Sequence, residues 1–327
     1  MITPANFAVF VTTASTLIGQ TYSSTPVQYQ AYASVMPCTS EQFTMAWTGR
    51  MPKARAWFGA RHVHQPAPQT YTVVPIPYEN TYGIDRFKLD DDQFGVYYRM
   101  LPDMALQWKK QPDYELRDLL ENTGVHVGTR QNGLDGLTHW NTAHPIDLYD
   151  SSKGTYTNDS VGGFSDGGVT VGGALSPTAF ASVIEYQTTL KDEQGERLGI
   201  TPSVLMIPPN LRVEAEMICK AAFFAPPSWG AYGSITSQVG AADNVLSRMG
   251  VEPLVNHQLN SKTKWYSLDT TKAFKPFLWV VREDVTMVPR TNENDPVVFD
   301  THTFIWGGWD RMCPAWSYAW LSHRSGT

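Results

Sequence analysis

Four groups of residues have types and spacings that could do chemistry. Gly163-Phe164-Ser165-Asp166-Gly167 fits G-x-S-x-G, the pattern that sets a nucleophilic serine on a sharp turn for acyl transfer, with His302 available as a distant base. That chemistry needs a strand before the serine and a helix after it. Here Gly162, Gly168, Gly172 and Gly173 surround the motif and deny a helix, so we read the match as coincidental. His139 and His144, near Asp135 and Asp147, could ligate a metal. Helical zinc pairs stand four apart, however, and these stand five apart beside Pro145. His62 and His64 alternate as on a strand and read as packing or surface residues. A pair of carboxylates could hydrolyse glycosides, and the many aromatics would suit sugar stacking, but nothing singles out two acids. The last group is Asp90, Asp91 and Asp92, an acidic run that suggests a cation site or the start of a helix.

The elements around these residues favour the plainer readings. Phe94, Tyr97, Tyr98, Leu101, Met104, Ala105 and Trp108 follow helical spacing directly after the aspartates. Asp90 or Asp91 is therefore expected to cap that helix, with Pro102 bending or interrupting it and a second helical segment from Pro112 to Asn122. Upstream, Thr3 and Pro4 open a short amphipathic helix carrying Phe7, Phe10, Val11, Ala14, Leu17 and Ile18. Residues 1–40 contain no Asp, Glu, Lys or Arg. They lack the basic flank of a signal peptide, and Thr12, Thr13, Ser15, Thr16 and Gln20 interrupt any membrane span. Residues 20–40 read as an extended arm that orders only against another subunit.

Residues 46–87 change character. Arg50, Lys53, Arg55 and Arg61 are interleaved with Trp47, Trp57 and Phe58. Pro75 and Pro77 forbid a central strand, so the segment is expected to be an edge strand or a projecting hairpin. Residues 150–174 are rich in Gly and Ser and read as a mobile loop; 225–245 reads as another loop. A helix is expected from Ser176-Pro177 to Leu190, a buried strand at "SVLMIPP", and a helix capped by Asn210 over "NLRVEAEMICKAAFF". Short strands follow at "GVEPLVNHQL", "KWYSLD" and "FKPFLWVVRED", and two more flank a turn at Gly307-Gly308.

Composition narrows the function. The 327-residue chain is 42% hydrophobic and 12% aromatic but only 17% charged, so apolar surface must be hidden, and partner subunits are one way to hide it. A net charge of −6 argues against coating nucleic acid through phosphates. It is compatible with a container around nucleic acid, whose inner wall must not stick. Cys38, Cys219 and Cys313 are scattered and odd in number, which fits buried thiols rather than disulfides or zinc. Asn158-Asp159-Ser160 is a glycosylation sequon by pattern alone.

The order of segments is distinctive: uncharged N-terminal helix and arm, basic hairpin, helix opened by acids, α/β region, closing strands. "TPANFAVF", "WTGRMPKARAWFGARHVH" leading into "YENTYGIDRFKLDDDQFGVYY", and "ITPSVLMIPPNLRVEAEMI" resemble the Mu-like major head subunit family of tailed bacteriophages, with support from "KPFLWVVRED" and "HTFIWGGWD". The resemblance implies an α+β fold of the Hong Kong 97 capsid type. It would have an N-terminal arm at 1–45, an extended loop at 46–87, a peripheral domain with a spine helix at 88–174 and 285–327, and an axial domain at 175–284. It implies a shell-forming major capsid protein of the virion head, assembled in the host bacterial cytoplasm. Pentamers and hexamers of itself, scaffold and portal proteins and a decoration protein are the implied partners. Double-stranded DNA would be enclosed without sequence reading, and no cofactor, metal, catalytic residue or membrane contact is implied. In such a shell the acids Asp90, Asp91 and Asp92 are expected to meet Arg50, Lys53, Arg55, Trp57 and Arg61 on a neighbour's hairpin. The alternatives are a hydrolase (a Ser165 esterase or a carboxylate-pair glycosidase) and a tail or decoration protein.

Overall fold

A computed structural model describes residues 4–47, 54, 56–61, 69–91, 95–121, 132–224, 242–292 and 294–327. His62, His64 and most of the loop at 225–245 lie outside them. The elements run α1 (Pro4–Ser24), α2 (Tyr29–Tyr32), β1 (Ala33–Pro37), β2 (Phe43–Trp47), β3 (Gln69–Val73), β4 (Ile76–Asp85), α3 (Arg86–Asp90) and α4 (Val96–Glu121). Then come β5 (His144–Pro145), β6 (Thr155–Tyr156), β7 (Asp159–Val161), β8 (Phe164–Asp166), β9 (Val169–Val171), α5 (Pro177–Thr189), β10 (Val204–Ile207) and α6 (Arg212–Lys220). The chain continues through β11 (Phe223–Phe224), β12 (Ala242–Asp243), β13 (Glu252–Val255), β14 (Trp265–Leu268), β15 (Phe277–Arg290), α7 (Pro296–Thr301), β16 (Thr303–Trp316) and β17 (Ser322–Gly326). Among the described residues no helix is long and apolar enough to cross a membrane.

Two sheets organise the chain. The first has the order β1-β15-β16-β4 and is dominated by the long β15–β16 ribbon. β4 is its edge strand, which is where Pro77 can sit without costing a ladder bond. α1 and α4 cover the far half of the ribbon: Ala14 and Ile18 meet Leu101, Met104, Ala105 and Trp108 over Ile84, Phe304 and Trp306. The second sheet has the order β13-β10-β14-β17-β7. Alternation splits β10, with Leu205 and Ile207 facing α5 and α6 and Met206 facing the opposite core. That opposite core joins the two sheets, since it also contains Leu116, Leu119 and Leu120 of α4, Trp140, Phe277, Trp279 and Trp316.

Several expectations are corrected here. α4 is one continuous helix through Pro102 and Pro112, not two segments. Each interior proline costs about 3 kcal/mol. The buried side chains of Leu101, Met104, Trp108, Leu116, Leu119 and Leu120 each return roughly 1.5–3 kcal/mol, so packing wins. The uncharged N-terminal segment does not wait for a neighbour. α1 packs on α4, Tyr29 and Tyr32 enter the central core, and β1 pairs in parallel with β15. Gly307-Gly308 is no turn but the middle of β16. A β-carbon on Gly308 would lie 3.0 Å from Trp108 Nε1, so the glycine lets the helix seat on the ribbon. α6 is preceded by a single 3₁₀ turn and has Leu211, not Asn210, at its N-cap; the Asn210 amide bonds Lys262 O instead. The sheets also cut across the expected boundaries. Residues 159–161 and 322–326 belong with 204–207, 252–255 and 265–268, and residues 76–85 belong to the first sheet rather than to the hairpin. Residues 159–171, expected as a mobile loop, form β7, β8 and β9.

Candidate assembly surfaces

The residues suspected of catalysis are placed against it. Ser165 is exposed on β8 and pairs with Thr170 of β9, and the tight Gly167-Gly168 turn leads into a strand, not a helix. His302 lies elsewhere, at the α7–β16 junction, with its ring 5.5 Å from that of Phe87. A nucleophile elbow needs strand, serine and helix in that order, so Gly163–Gly167 does not form one. Ser165→Ala is expected to leave thermal stability within about 0.5 kcal/mol of the parent. Ester hydrolysis by the parent that is lost in this variant would sink that reading.

His139 and His144 are built into a polar joint behind the central core. Nδ1 of His144 lies 2.5 Å from Asp135 Oδ2, and its Nε2 lies 2.9 Å from the carbonyl of His139. The His139 ring stacks on Trp316 at 3.5 Å, and its Nε2 pairs with Ser322 Oγ at 2.7 Å. Burial first, then the nearby His144 and Arg324, hold His139 well below the usual imidazole range, so it is neutral. Among the described residues, no group of three or more His, Cys, Asp or Glu is placed to hold a metal. Asn158 ties the joint together. Its amide donates to His139 O and Ala319 O and accepts from the Asn141 amide, and at 1% exposure it offers no glycan acceptor.

Asp90 and Asp91, the expected caps of the long helix, stand at the end of a separate short helix. Asp85 caps the short α3 by accepting from the amides of Phe87 and Lys88; Asp90 ends α3, and Asp91 is its C-cap. α4 starts only at Val96. The helical periodicity after the acids corresponds to α4, while Asp90 and Asp91 close a shorter helix, α3, whose N-cap is Asp85, the residue that ends β4. Asp92, like Arg50, Lys53 and Arg55, lies outside the described residues.

Beside the aspartates the surface is apolar. Phe87 on α3 is 62% exposed and Phe299 on α7 is 71% exposed. Between these helices lies an open pocket of about 310 Å³ lined by Arg86, Asn294, Val298, Phe299, His302 and Phe304. α7 is held by its cap Asp295, which also pairs with Arg290 at 2.6 Å; this hydrogen bond holds the carboxyl below its usual range. Sequence reasoning missed this corner. The available signal was a pair of phenylalanines among acids, in "DRFKLDDD" and "DPVVFDTH".

A second exposed aromatic surface lies on the hairpin. Arms β2 and β3 pair in register from Phe43↔Val73 to Trp47↔Gln69. Met45, Tyr71 and Val73 root them in a core with Leu278, Val280, Cys313 and Ala315. At the base, Trp47 packs on Tyr318 and Trp320 with ring centroids 4.9 and 5.4 Å away. Between the arms, Trp57 and Phe58 are 67% and 89% exposed. The Arg61 guanidinium stacks 5.0 Å from the Trp57 ring, and the indole N–H donates to Gly59 O. The structure thus unites Trp57 with Arg61 on one surface, and Asp90 with Asp91 on another.

The profile of the family described as Mu-like prophage major head subunit gpT matches residues 8–167 and 244–326. The major capsid protein of Escherichia phage Mu is 27% identical over 155 residues, 47% of this chain and 48% of that protein. The Mu-like prophage FluMu major head subunit of Haemophilus influenzae is 28% identical over 142 residues, 42% of this chain and 44% of that protein. The chain thus spans about half the length of the curated relatives it matches. A subunit from the procapsid of bacteriophage JBD30 superposes with a TM-score of 0.54 at 20% identity, covering 100% of this chain and 76% of that one.

Proposed function

Since the chain belongs to the Mu-like prophage major head subunit family and has a Hong Kong 97-type α+β fold, we propose that it is a major capsid protein that builds the closed head shell of a tailed bacteriophage. The observation that carries this reading is the family match, which runs through the hairpin, the long helix and the ribbon in one order. Copies of the chain associate as pentamers and hexamers in the virion head, formed in the host bacterial cytoplasm. Scaffold and portal proteins and a decoration protein are the further partners, and double-stranded DNA is enclosed without base reading.

Within this reading residues 1–45 form the arm and the hairpin within 46–87 forms the extended loop. The peripheral unit is 88–174 with 285–327 and the axial unit is 175–284, except that β4 joins the peripheral unit and β7 and β17 join the axial one. The test is direct. Purified protein held under assembly conditions is expected to sediment as closed particles visible by negative stain. A species that stays the size of a single chain under every condition tested would count against it.

The proposed contact joins the basic, aromatic hairpin of one copy to the acidic, aromatic corner of the next. Arg50, Lys53, Arg55, Trp57 and Arg61 face Asp90, Asp91 and Asp92 across it. Its support is the complementary charge and the exposure of Trp57, Phe58, Phe87 and Phe299. Exposed pairs contribute under about 1 kcal/mol each, but a shell repeats them. Changing all three aspartates to Asn is expected to cut assembly yield several-fold at about 0.05 M salt while leaving subunit melting unchanged. Parent yield should fall as salt rises, and the variant's should be flatter. Equal yields across the series would refute the contact.

A further inference from the structure

Asp310 is the most anomalous side chain among the described residues. It stands on β16, has no exposed surface, and neither carboxyl oxygen has a hydrogen-bond partner. Alternation along β16 puts Trp306, Gly308, Asp310 and Met312 on one face, and Trp306 and Gly308 meet α4 there. On α4, Trp108, Gln111 and Glu115 are spaced as one helical stripe. In that stripe the Trp108 indole N–H and Gln111 Oε1 also lack partners. The seam between the long helix and the ribbon therefore holds a buried acid, an orphan donor and an orphan acceptor.

The surroundings are acidic. Burial pushes Asp310 up to about 7, with Glu115 on α4 and Asp284 on β15 adding to the rise. From α1, Tyr22 faces the same place; its phenol is raised by burial, then by Asp284, Tyr29 and Asp310. Lys109 of α4 is nearby, but its ammonium sits 4.6 Å from the Tyr22 ring. From β4, Tyr78 is the register partner of Asp310. The nearby charges that act on the carboxyl thus oppose its ionisation, and with no exposed surface it cannot be met by a partner chain without the seam opening.

We infer that the α4–ribbon seam is a proton-operated catch: with Asp310 protonated, α4 and the α1 packed on it seat on the sheet, and ionisation of Asp310 loosens them. A neutral carboxyl can donate its proton to an acceptor such as Gln111 Oε1 and accept from an indole such as that of Trp108, whereas the carboxylate has no donor role and carries an uncompensated buried charge. The sign follows from linkage. A carboxyl that binds its proton more tightly when seated favours the seated form at low pH, and that preference is lost as pH rises through the seated value. The device concerns the chain itself and does not depend on what the chain assembles into.

Hydrogen exchange of the full chain, corrected for intrinsic rates, tests it between pH 5.5 and 8.5. Opening of peptides covering 10–24, 100–116 and 304–312 is expected to rise about thirtyfold over that range. Peptides of α5 and α6 should not follow. Asp310→Asn, nearly isosteric and never charged, is expected to abolish the rise. Glu115→Gln removes one opposing charge, so it should move the transition to lower pH without abolishing it. A parent without the rise, a rise retained in Asp310→Asn, or a transition unmoved in Glu115→Gln would each overturn the inference. Restoration of protection at pH 8.5 by Ca²⁺ or Mg²⁺ would also overturn it, in favour of a cation site.

Discussion

Between pH 7 and pH 5 the isolated chain is expected to lose about 2 kcal/mol of stability through His323 alone. This histidine lies at 1% exposure on β17, where burial pulls its imidazole down from 6.5 to about 3, a shift that Asp159 opposes only partly. Its Nε2 pairs with Ser160 Oγ at 2.8 Å. The unfolded chain takes up a proton below about 6.5 and the folded chain does not, so stability is fully present above that value and is lost as pH falls, at about 1.4 kcal/mol per unit. His139 shifts in the same direction and adds to the loss. Asp310 works the other way, because its raised value stabilises the fold on acidification. Urea unfolding at pH 7 and pH 5 measures the balance. His323→Gln should flatten the acid limb, and Asp310→Asn should steepen it. An acid limb unchanged in both variants would remove these groups from the account.

Gly172→Ala is expected to cost 3 kcal/mol or more, as about 1–2 kcal/mol of backbone strain plus the cost of overpacking. Gly172 has φ +80°, and a β-carbon there would run into the Ser160 side chain and lie 2.6 Å from Ser325 Oγ. Those serines cannot step aside. Ser160 Oγ holds His323, and Ser325 Oγ takes the amide proton of Gly173 while donating to the carbonyl of that residue or of Ser160. Gly168 supplies the control, with φ +89° and open space around its β-position. Gly168→Ala should therefore show the strain alone. Equal losses in the two variants, read by urea unfolding, would show that packing at Gly172 contributes nothing.

These glycines also show where the sequence was legible and where it was not. Signals that act within a few residues were read correctly. Ser176 caps α5 with Pro177 in its first turn, Pro77 marked an edge strand, and "VLMI" is a buried strand. The strand–turn–strand around Ser165 follows from the glycines that denied it a helix. Signals that depend on a distant partner were misread. Gly307-Gly308 has the wording of a turn, and only the position of Trp108 explains why it is straight. The Gly/Ser-rich stretch before α5 looks mobile until Asp159, Ser160 and Val161 are seen paired with Arg324, Ser325 and Gly326. Pro102 and Pro112 carried a local penalty that the packing of α4 outweighs. The assembly surfaces were half legible. The basic, aromatic hairpin was visible as composition, whereas Phe87, Phe299 and the pocket between them come from two helices far apart in the chain.

The place of β17 has a consequence in time. It is the last strand in chain order, yet it lies inside its sheet, hydrogen-bonded to β14 on one side and β7 on the other. During synthesis β7 emerges about 160 residues ahead of β17, the strand through which it joins the sheet. Until β17 arrives, β14 and β7 each keep an open edge, and Asp159 lacks the Arg324 that grips it. Contacts of such long sequence separation form slowly, and the waiting edges are open to pairing between chains. A nascent chain therefore passes through a window in which the second sheet is unclosed, and insertion of one strand, Ser322–Gly326, ends it. A chain that lacks Ser322–Gly326 would keep that sheet unclosed, with the edges of β14 and β7 left exposed.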